Sequence, residues 1–94
     1  MVIIILEHVK TASTYEDGEI IYNLISSALS NGESVILSFK DITSVPSAFI
    51  NSALIRLLEN FNFEFIRSRL TIKDTTKHIN ELIKSRFKFV LSKN

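Results

Sequence analysis

The sequence contains no cysteine and no tryptophan, and among its 94 residues one is proline and two are glycine. The lack of cysteine excludes disulfides, thiolate catalysis and cysteine-ligated zinc sites. With Gly18 and Gly32 as its only glycines, the chain has no glycine-rich loop that could cradle a phosphate. Neither a nucleophile elbow nor a pair of carboxylates in a polar pocket is evident. We therefore expect no enzyme activity, no cofactor and no metal site.

The composition is that of one ordered domain. Hydrophobic residues make up 46% of the chain and seven residues are phenylalanine, enough apolar surface to offset the entropy of ordering a short chain. We expect residues 1–94 to form a single domain. The apolar run that begins at Met1 is too short for a signal peptide or a membrane span, and it is interrupted by a charged residue at Glu7. We therefore expect a cytoplasmic protein. The many phenylalanines also raise the expectation of a homo-oligomer that covers an exposed edge or patch.

Acidic and basic residues are unequally distributed along the chain. Residues 1–64 hold three basic and eight acidic side chains, a net charge of −5, whereas residues 65–94 hold eight basic and two acidic ones, a net charge of +6. Such segregation is one mark of a surface that binds polyanions. The candidate basic surface consists of Arg67, Arg69, Lys73, Lys77, Lys84, Arg86 and Lys88. The alternation in Arg86–Phe89 favours the other interpretation, in which the rings are core and the cations are solvated.

Hydrophobic periodicity predicts three strands. They are Val2–Leu6, Ser34–Phe39 and Leu70–Lys73, and the β-branched run in the first is typical of a strand that is covered on both faces. Two segments are ambiguous. In Asn60–Arg69, phenylalanines alternate as in a strand while helical spacing fades. The tail Phe87–Leu91 fits either a strand or a continuing helix, and we favour the helix.

Three helices are predicted between and after these strands. The first follows a capping box at Ser13–Glu16 and ends at Asn31–Gly32. The second begins at Ser47 and continues through apolar residues as far as Phe61, and the third follows Asp74–Thr76. The order β-α-β-α-β-α predicts a small α/β domain with a mainly parallel or mixed sheet and helices packed on it.

The segment Val35–Leu54 joins a buried strand to a helix through a polar turn. We expect Ile42 and Val45 to fold back over the edge of the core. Because Pro46 disfavours helical geometry at the residue before it, the helix is expected to begin at Ser47. That serine would then cap the helix N-terminus.

Three side chains of this segment are candidates for a phosphoacceptor or a partner contact. They are Ser47, Ser44 and Asn51. A phosphate on Ser47 would gain from the helix dipole, although a plain capping role is the first expectation. Ser44 is expected to close the turn with hydrogen bonds, and Asn51 to lie on the solvated edge of the helix.

The same segment resembles the STAS domains of sulphate transporters and anti-sigma-factor antagonists. In the antagonists, a strand of the type V-x-L-D-L ends in a turn, and D-S-S-G-L then opens a helix. Here Val35–Phe39 matches the strand, Ile42 matches the hydrophobic residue after the turn, and Pro46–Ile50 occupies the place of the helix opening. Tyr15–Gly18 and Ser47–Asn51 are similar to the STAS-like subgroup of unknown function found in bacteria and their mobile elements.

The resemblance implies a STAS-like fold and a non-catalytic, regulatory protein-interaction module. In the antagonists, partner kinases phosphorylate the serine to which Ser47 corresponds. Pro46 stands here in place of the acidic residue and Phe49 in place of the glycine, so the match supports the fold more than phosphorylation. The implied partner is another protein, such as a kinase-like ATPase or a regulatory complex, docking on the turn 40–45 and on the start of the second helix.

Two other functions remain as alternatives. One is a small inhibitor or accessory protein of a phage or other mobile element, whose acidic residues occupy the nucleic-acid-binding surface of a host complex. Those acidic residues are Glu7, Glu16, Asp17, Glu19 and Glu33. The other is direct nucleic-acid binding through the basic segment 65–94, which would engage single strands by stacking.

Overall fold

Three parallel strands form the sheet of the computed structural model, which describes residues 1–93. Strand β1 is Val2–Ile4, β2 is Val35–Ser38 and β3 is Leu70–Lys73, and they lie side by side in the order β1-β2-β3. Parallel neighbours need crossover connections, and helices supply them. The predicted α/β class with a parallel sheet is therefore confirmed, and the third strand has the predicted bounds.

Across residues 1–93, four α-helices and two short 3₁₀ helices accompany the sheet. The α-helices are α1 at Tyr15–Ser30, α2 at Ser47–Ala53, α3 at Phe63–Arg69 and α4 at Lys77–Leu91, and the 3₁₀ helices are Ile5–Glu7 and Ile55–Glu59. The tail of the chain is helical as favoured, because α4 continues to Leu91. Within residues 1–93, no helix is long and apolar enough to cross a membrane.

The first strand is shorter and more exposed than predicted. It ends at Ile4, where the chain turns into a 3₁₀ helix, and its side chain at Val2 is 62% exposed. The prediction of a strand covered on both faces was wrong. A run of β-branched residues indicates a strand, but it does not show whether helices cover one face of the sheet or both.

All the helices lie on one side of the sheet. Each crossover moves one strand further in the same direction, and right-handed crossovers then place the helices on a single face. Burial agrees with this arrangement, since Ile3 and its neighbour Leu37 are fully buried beneath the helices. The row Val2, Ile36 and Thr71, which points to the opposite face, is exposed.

The first helix is capped one residue later than predicted. Thr14, not Ser13, is the N-cap, and Asp17, not Glu16, completes the capping box. Both pairs fit the spacing of a capping box, so the sequence pattern alone does not choose between them. At the other end, Gly32 has a φ of 77°, as the predicted left-handed helix end requires.

The predicted second helix is in fact two separate pieces, and a further helix, α3, lies in the ambiguous segment Asn60–Arg69. Helix α2 ends at Ala53, a 3₁₀ turn follows, and α3 begins after Asn62, whose side chain accepts a hydrogen bond from the N–H of Phe65. The order β-α-β-α-β-α omitted α3. Of the alternating phenylalanines, Phe63 and Phe65 lie in α3 and Phe61 lies in the bend before it. Phe61 stacks on Phe65 with ring centroids 5.4 Å apart.

The junction between α3 and β3 contains no loop. Arg69 is the last residue of the helix and Leu70 is the first of the strand. The N–H of Leu70 still donates to the carbonyl of Ile66. Leu70 therefore makes the last hydrogen bond of the helix and is also the first residue of the strand.

Candidate functional site

The carboxyl ends of the three strands meet at one edge of the sheet, as they do in every parallel sheet. At this edge the Ser38 Oγ donates to the Asp74 Oδ2 at 2.6 Å, and it accepts from the N–H of Lys40 at 3.2 Å. The N–H of Phe39 donates to the carbonyl of Lys73 at 2.9 Å. These bonds tie the ends of β2 and β3 together and set the start of the turn that follows.

Two apolar side chains of the turn 40–45 anchor it in the core. Ile42 and Val45 are both buried, which confirms that they fold back over the edge of the core. Asp41 adopts a left-handed φ of 65°, and the N–H of Ile42 closes the bend on the carbonyl of Phe39 at 2.9 Å. The turn is therefore fixed by its core contacts, and its polar side chains, including Ser44, face solvent.

A shallow cleft of about 250 Å³ lies between this turn and the segment that leads into α1. The Thr76 Oγ1 donates to the carbonyl of Thr43 at 3.3 Å, which fixes the turn to the start of α4 as well. The cleft has a mixed polar and apolar lining. Among its lining residues are Leu6, Lys10, Thr11, Asp41, Thr43 and Ser44.

The segment on the far side of the cleft is fixed by one carboxylate. Asp17 Oδ2 accepts hydrogen bonds from the N–H groups of Ser13 and Thr14 at 3.2 and 3.3 Å and from the Thr11 hydroxyl at 3.4 Å. Partial burial by itself raises the pKa of Asp17, but the hydrogen bonds that its carboxylate receives from Ser13, Thr14 and Thr11 outweigh it. The net result is a pKa below the ordinary value.

Ser47 is the first residue of α2 and is exposed, but it is not the N-cap. Pro46 occupies that position, and no side chain caps the helix there. The prediction of a capping role was therefore wrong by one residue, because proline was assigned to the turn rather than to the helix boundary. The Ser47 hydroxyl does not satisfy the helix end, which leaves it on the surface beside the turn 40–45.

Asn51 lies elsewhere than expected. Its side chain is half-buried, and its Oδ1 accepts a hydrogen bond from the Arg86 Nε at 2.9 Å. The pair links α2 to α4 across the domain. Asn51 thus has a structural partner, whereas Ser44 and Ser47 are the two candidates that face solvent.

Helix α2 owes its position to a close approach to α1. Gly18, on α1, faces Phe49 and Ser52, and a Cβ built at Gly18 would lie 2.7 Å from the carbonyl oxygen of Phe49 and would overlap the Ser52 Oγ. That hydroxyl is buried and donates to the same carbonyl at 3.2 Å. The pattern of apolar residues gives no sign of this contact, which depends on the absence of a side chain.

A family model described as "STAS-like domain of unknown function (DUF4325)" matches residues 17–80, from the first turn of α1 to the first turn of α4. The chain belongs to this family. The match includes β2, the turn 40–45 and α2, so it covers the surface described above. No curated protein and no solved structure matches the chain.

The basic residues of this STAS-like domain do not share one surface. Arg69 donates to the carbonyl of Gly32 at 2.5 Å and lies over the Phe65 ring, and Arg86 is bound to Asn51. Lys73 is on the exposed face of the sheet. The remaining members of the candidate basic surface are Lys77, at the start of α4, and a group of three, Arg67, Lys84 and Lys88.

That group of three lines an apolar groove, which sequence analysis did not anticipate. The groove, called here the α3–α4 groove, has a volume of about 420 Å³ and is bordered by α3, β3 and α4. Residues from three elements meet there only after folding. The only sign of the groove in the sequence is that apolar residues alternate along β3 and recur at helical spacing along α4. Its principal apolar lining residues are Phe63, Ile66, Leu70, Ile72, Ile83 and Phe87.

Within residues 1–93, no group of three or more histidine, aspartate or glutamate side chains is arranged to hold a metal ion. What the carboxyl edge offers instead is a fixed surface of exposed hydroxyls and of the charged side chains of Lys40 and Asp41, beside a shallow cleft. Such a surface is suited to hydrogen bonding with a partner.

Proposed function

We propose that this STAS-like domain is a non-catalytic protein-interaction module, whose partner docks on the turn 40–45 and the start of α2. The observation that carries the proposal is the rigid presentation of exposed hydroxyls. Ser44 and Ser47 face solvent, while Ile42 and Val45 anchor the intervening backbone in the core. A surface that is ordered before binding loses little conformational entropy when a partner docks.

The adjoining cleft supports the choice of this docking surface. Its lining adds Lys10 and Thr11, on the segment that Asp17 fixes, to the polar groups of the turn 40–45 that a partner can reach. The partner we propose is another protein, a kinase-like ATPase or a regulatory complex, in line with the family resemblance. If the partner is a kinase-like ATPase, Ser47 or Ser44 would be the residue that it phosphorylates, and both hydroxyls are accessible to an enzyme.

The test is cross-linking and capture from the native lysate with three forms of the chain as bait. In the Ser47→Arg variant a bulky cation stands on the proposed surface. Ser30→Arg makes the same change at an exposed serine at the other end of the fold, where α1 ends. We expect one prey to be captured by the wild type and by Ser30→Arg, and to be lost with Ser47→Arg.

Equal capture by all three baits would contradict the proposed surface. Circular dichroism of each bait first establishes that both variants are folded. Mass spectrometry of the protein from its native cells then tests the phosphoacceptor: phosphate on Ser47 or Ser44 supports the kinase-like partner, and unmodified serines in every growth state argue against it.

A further inference from the structure

The α3–α4 groove lies away from the turn 40–45 and has a different chemistry. Its lining is almost wholly apolar, with two residues each from α3, β3 and α4 as its principal components. Leu54 and Leu91 add to the apolar lining. Small-molecule sites in proteins have this character, with an apolar body and a small number of polar groups that fix orientation.

The charged groups that line the groove are all of one sign. They are Arg67 on α3 and Lys84 and Lys88 on α4, and all three are exposed. On α4 the two lysines are four residues apart and therefore lie on the same side of the helix. Among residues 1–93, no carboxylate belongs to the lining, so the described lining combines an apolar interior with positive charges. A ligand that matches both properties has an apolar body and an anionic group.

The volume of the groove is consistent with a small amphiphile. At about 420 Å³ it lies within the range of about 300–1,000 Å³ that is usual for small-molecule sites. An extended alkyl chain can lie along the apolar lining while its head group stays at the cationic rim.

We propose that the α3–α4 groove binds a single-chain amphiphile with an anionic head group, of the fatty-acid carboxylate class. The alkyl chain would lie against the apolar lining contributed by α3, β3 and α4. The head group would pair with Arg67, Lys84 and Lys88, which remain partly hydrated at the rim. This site is separate from the proposed protein-docking surface and does not depend on it.

Isothermal titration calorimetry with sodium dodecanoate, kept below its micelle-forming concentration, tests the proposal. We expect one dodecanoate per chain. Decanoate, which is two methylenes shorter, should bind roughly 15-fold more weakly, since each buried methylene contributes about fourfold in affinity. Dodecyltrimethylammonium has the same chain with a cationic head, and it should bind at least tenfold more weakly than dodecanoate.

Charge variants test the location of the site. Lys84→Glu/Lys88→Glu reverses two cations of the groove and should weaken dodecanoate binding at least tenfold. Lys73→Glu/Lys77→Glu reverses two exposed lysines outside the lining, at equal net charge, and should change the affinity by less than twofold. Leu91→Gln removes apolar contact without a change of charge, at a side chain that is 41% exposed, and should weaken binding about fivefold or more.

Several results would overturn the proposal. Absence of dodecanoate binding would contradict it, and so would an equal loss of affinity in both double variants, which would indicate general electrostatic attraction. Equal affinity for the anionic and cationic amphiphiles would also contradict it. So would binding of an acidic amphipathic peptide that is lost with Lys84→Glu/Lys88→Glu while dodecanoate has no effect, because the groove would then be a protein-docking surface.

Discussion

The Ser38 hydroxyl donates to the Asp74 carboxylate at 2.6 Å, across the boundary between β2 and the segment that follows β3. Ser38 is a buried polar side chain, 3% exposed, and Asp74 adopts a left-handed φ of 58°. The bond therefore spans 36 residues of sequence and satisfies a hydroxyl that would otherwise be buried without an acceptor. It holds together the edge of the sheet from which the turn 40–45 emerges.

We expect Ser38→Ala to lower the free energy of unfolding by about 1–2 kcal/mol, because a hydrogen bond to a charged group is lost. Asp74→Gly also removes the bond and leaves the buried Ser38 hydroxyl without its acceptor, a loss that relief of the left-handed backbone partly offsets. Urea denaturation of the two single variants and the double variant measures the coupling between the residues. Additive effects, with no coupling energy, would mean that the bond contributes nothing to stability.

Gly18→Ala should be among the most damaging single-methyl changes in the chain. The new Cβ would clash with the Phe49 carbonyl and with Ser52, so α2 must move away from α1, at a cost of roughly 2–3 kcal/mol. Gly32→Ala is the matched control, because its Cβ meets open space and only the left-handed φ is penalised, by about 1 kcal/mol. Equal losses of stability in denaturant titrations would contradict the packing role of Gly18.

The lowered pKa of Asp17 predicts a pH dependence of stability. Its carboxylate pKa is below 3.8 in the folded chain, so its contribution is fully present above that value and is lost as the pH falls through the folded pKa. We expect Asp17→Asn to be less stable than the wild type near neutral pH, and the gap to narrow as the pH falls through the lowered pKa of Asp17. Thermal melts across this range provide the measurement, and a gap that is the same at every pH would contradict the assignment.

The hydrogen bond between Arg86 and Asn51 should contribute about 1 kcal/mol to the packing of α4 on α2. Arg86→Met keeps much of the apolar stem and removes the donor, and Asn51→Ala removes the acceptor. A double-mutant cycle should give a coupling energy of about 1 kcal/mol. The same variants leave Ser47 in place, so an altered affinity for the captured partner would reveal that α4 helps to position α2.

Sequence analysis predicted the parts of the fold that depend on repeated patterns. β3 and the end of α1 follow from alternation and from one glycine, and the burial of Ile42 and Val45 follows from their place after a strand. The parts it missed depend on single contacts. The cap at Thr14 has an equally good neighbour in sequence, and α3 was obscured by phenylalanines that alternate along the chain.

The candidate site was predicted in part for the same reason. Exposure of Ser44 and Ser47 agrees with their place in and after a polar turn, but nothing in the sequence connects Asn51 to Arg86, 35 residues away. The α3–α4 groove was missed because it is a gap between elements. A hydrophobic pattern marks the surfaces that pack, and it does not mark those that pack incompletely.

The direct junction between α3 and β3 makes this part of the chain sensitive to length. With no loop between Arg69 and Leu70, the rotational phase of the helix is transmitted to the strand. One inserted residue would turn the end of α3 by about 100° and exchange the two faces of β3, carrying Leu70 and Ile72 into water. Natural variation by insertion or deletion should therefore be tolerated in the turns of this domain and be absent from the span 63–73.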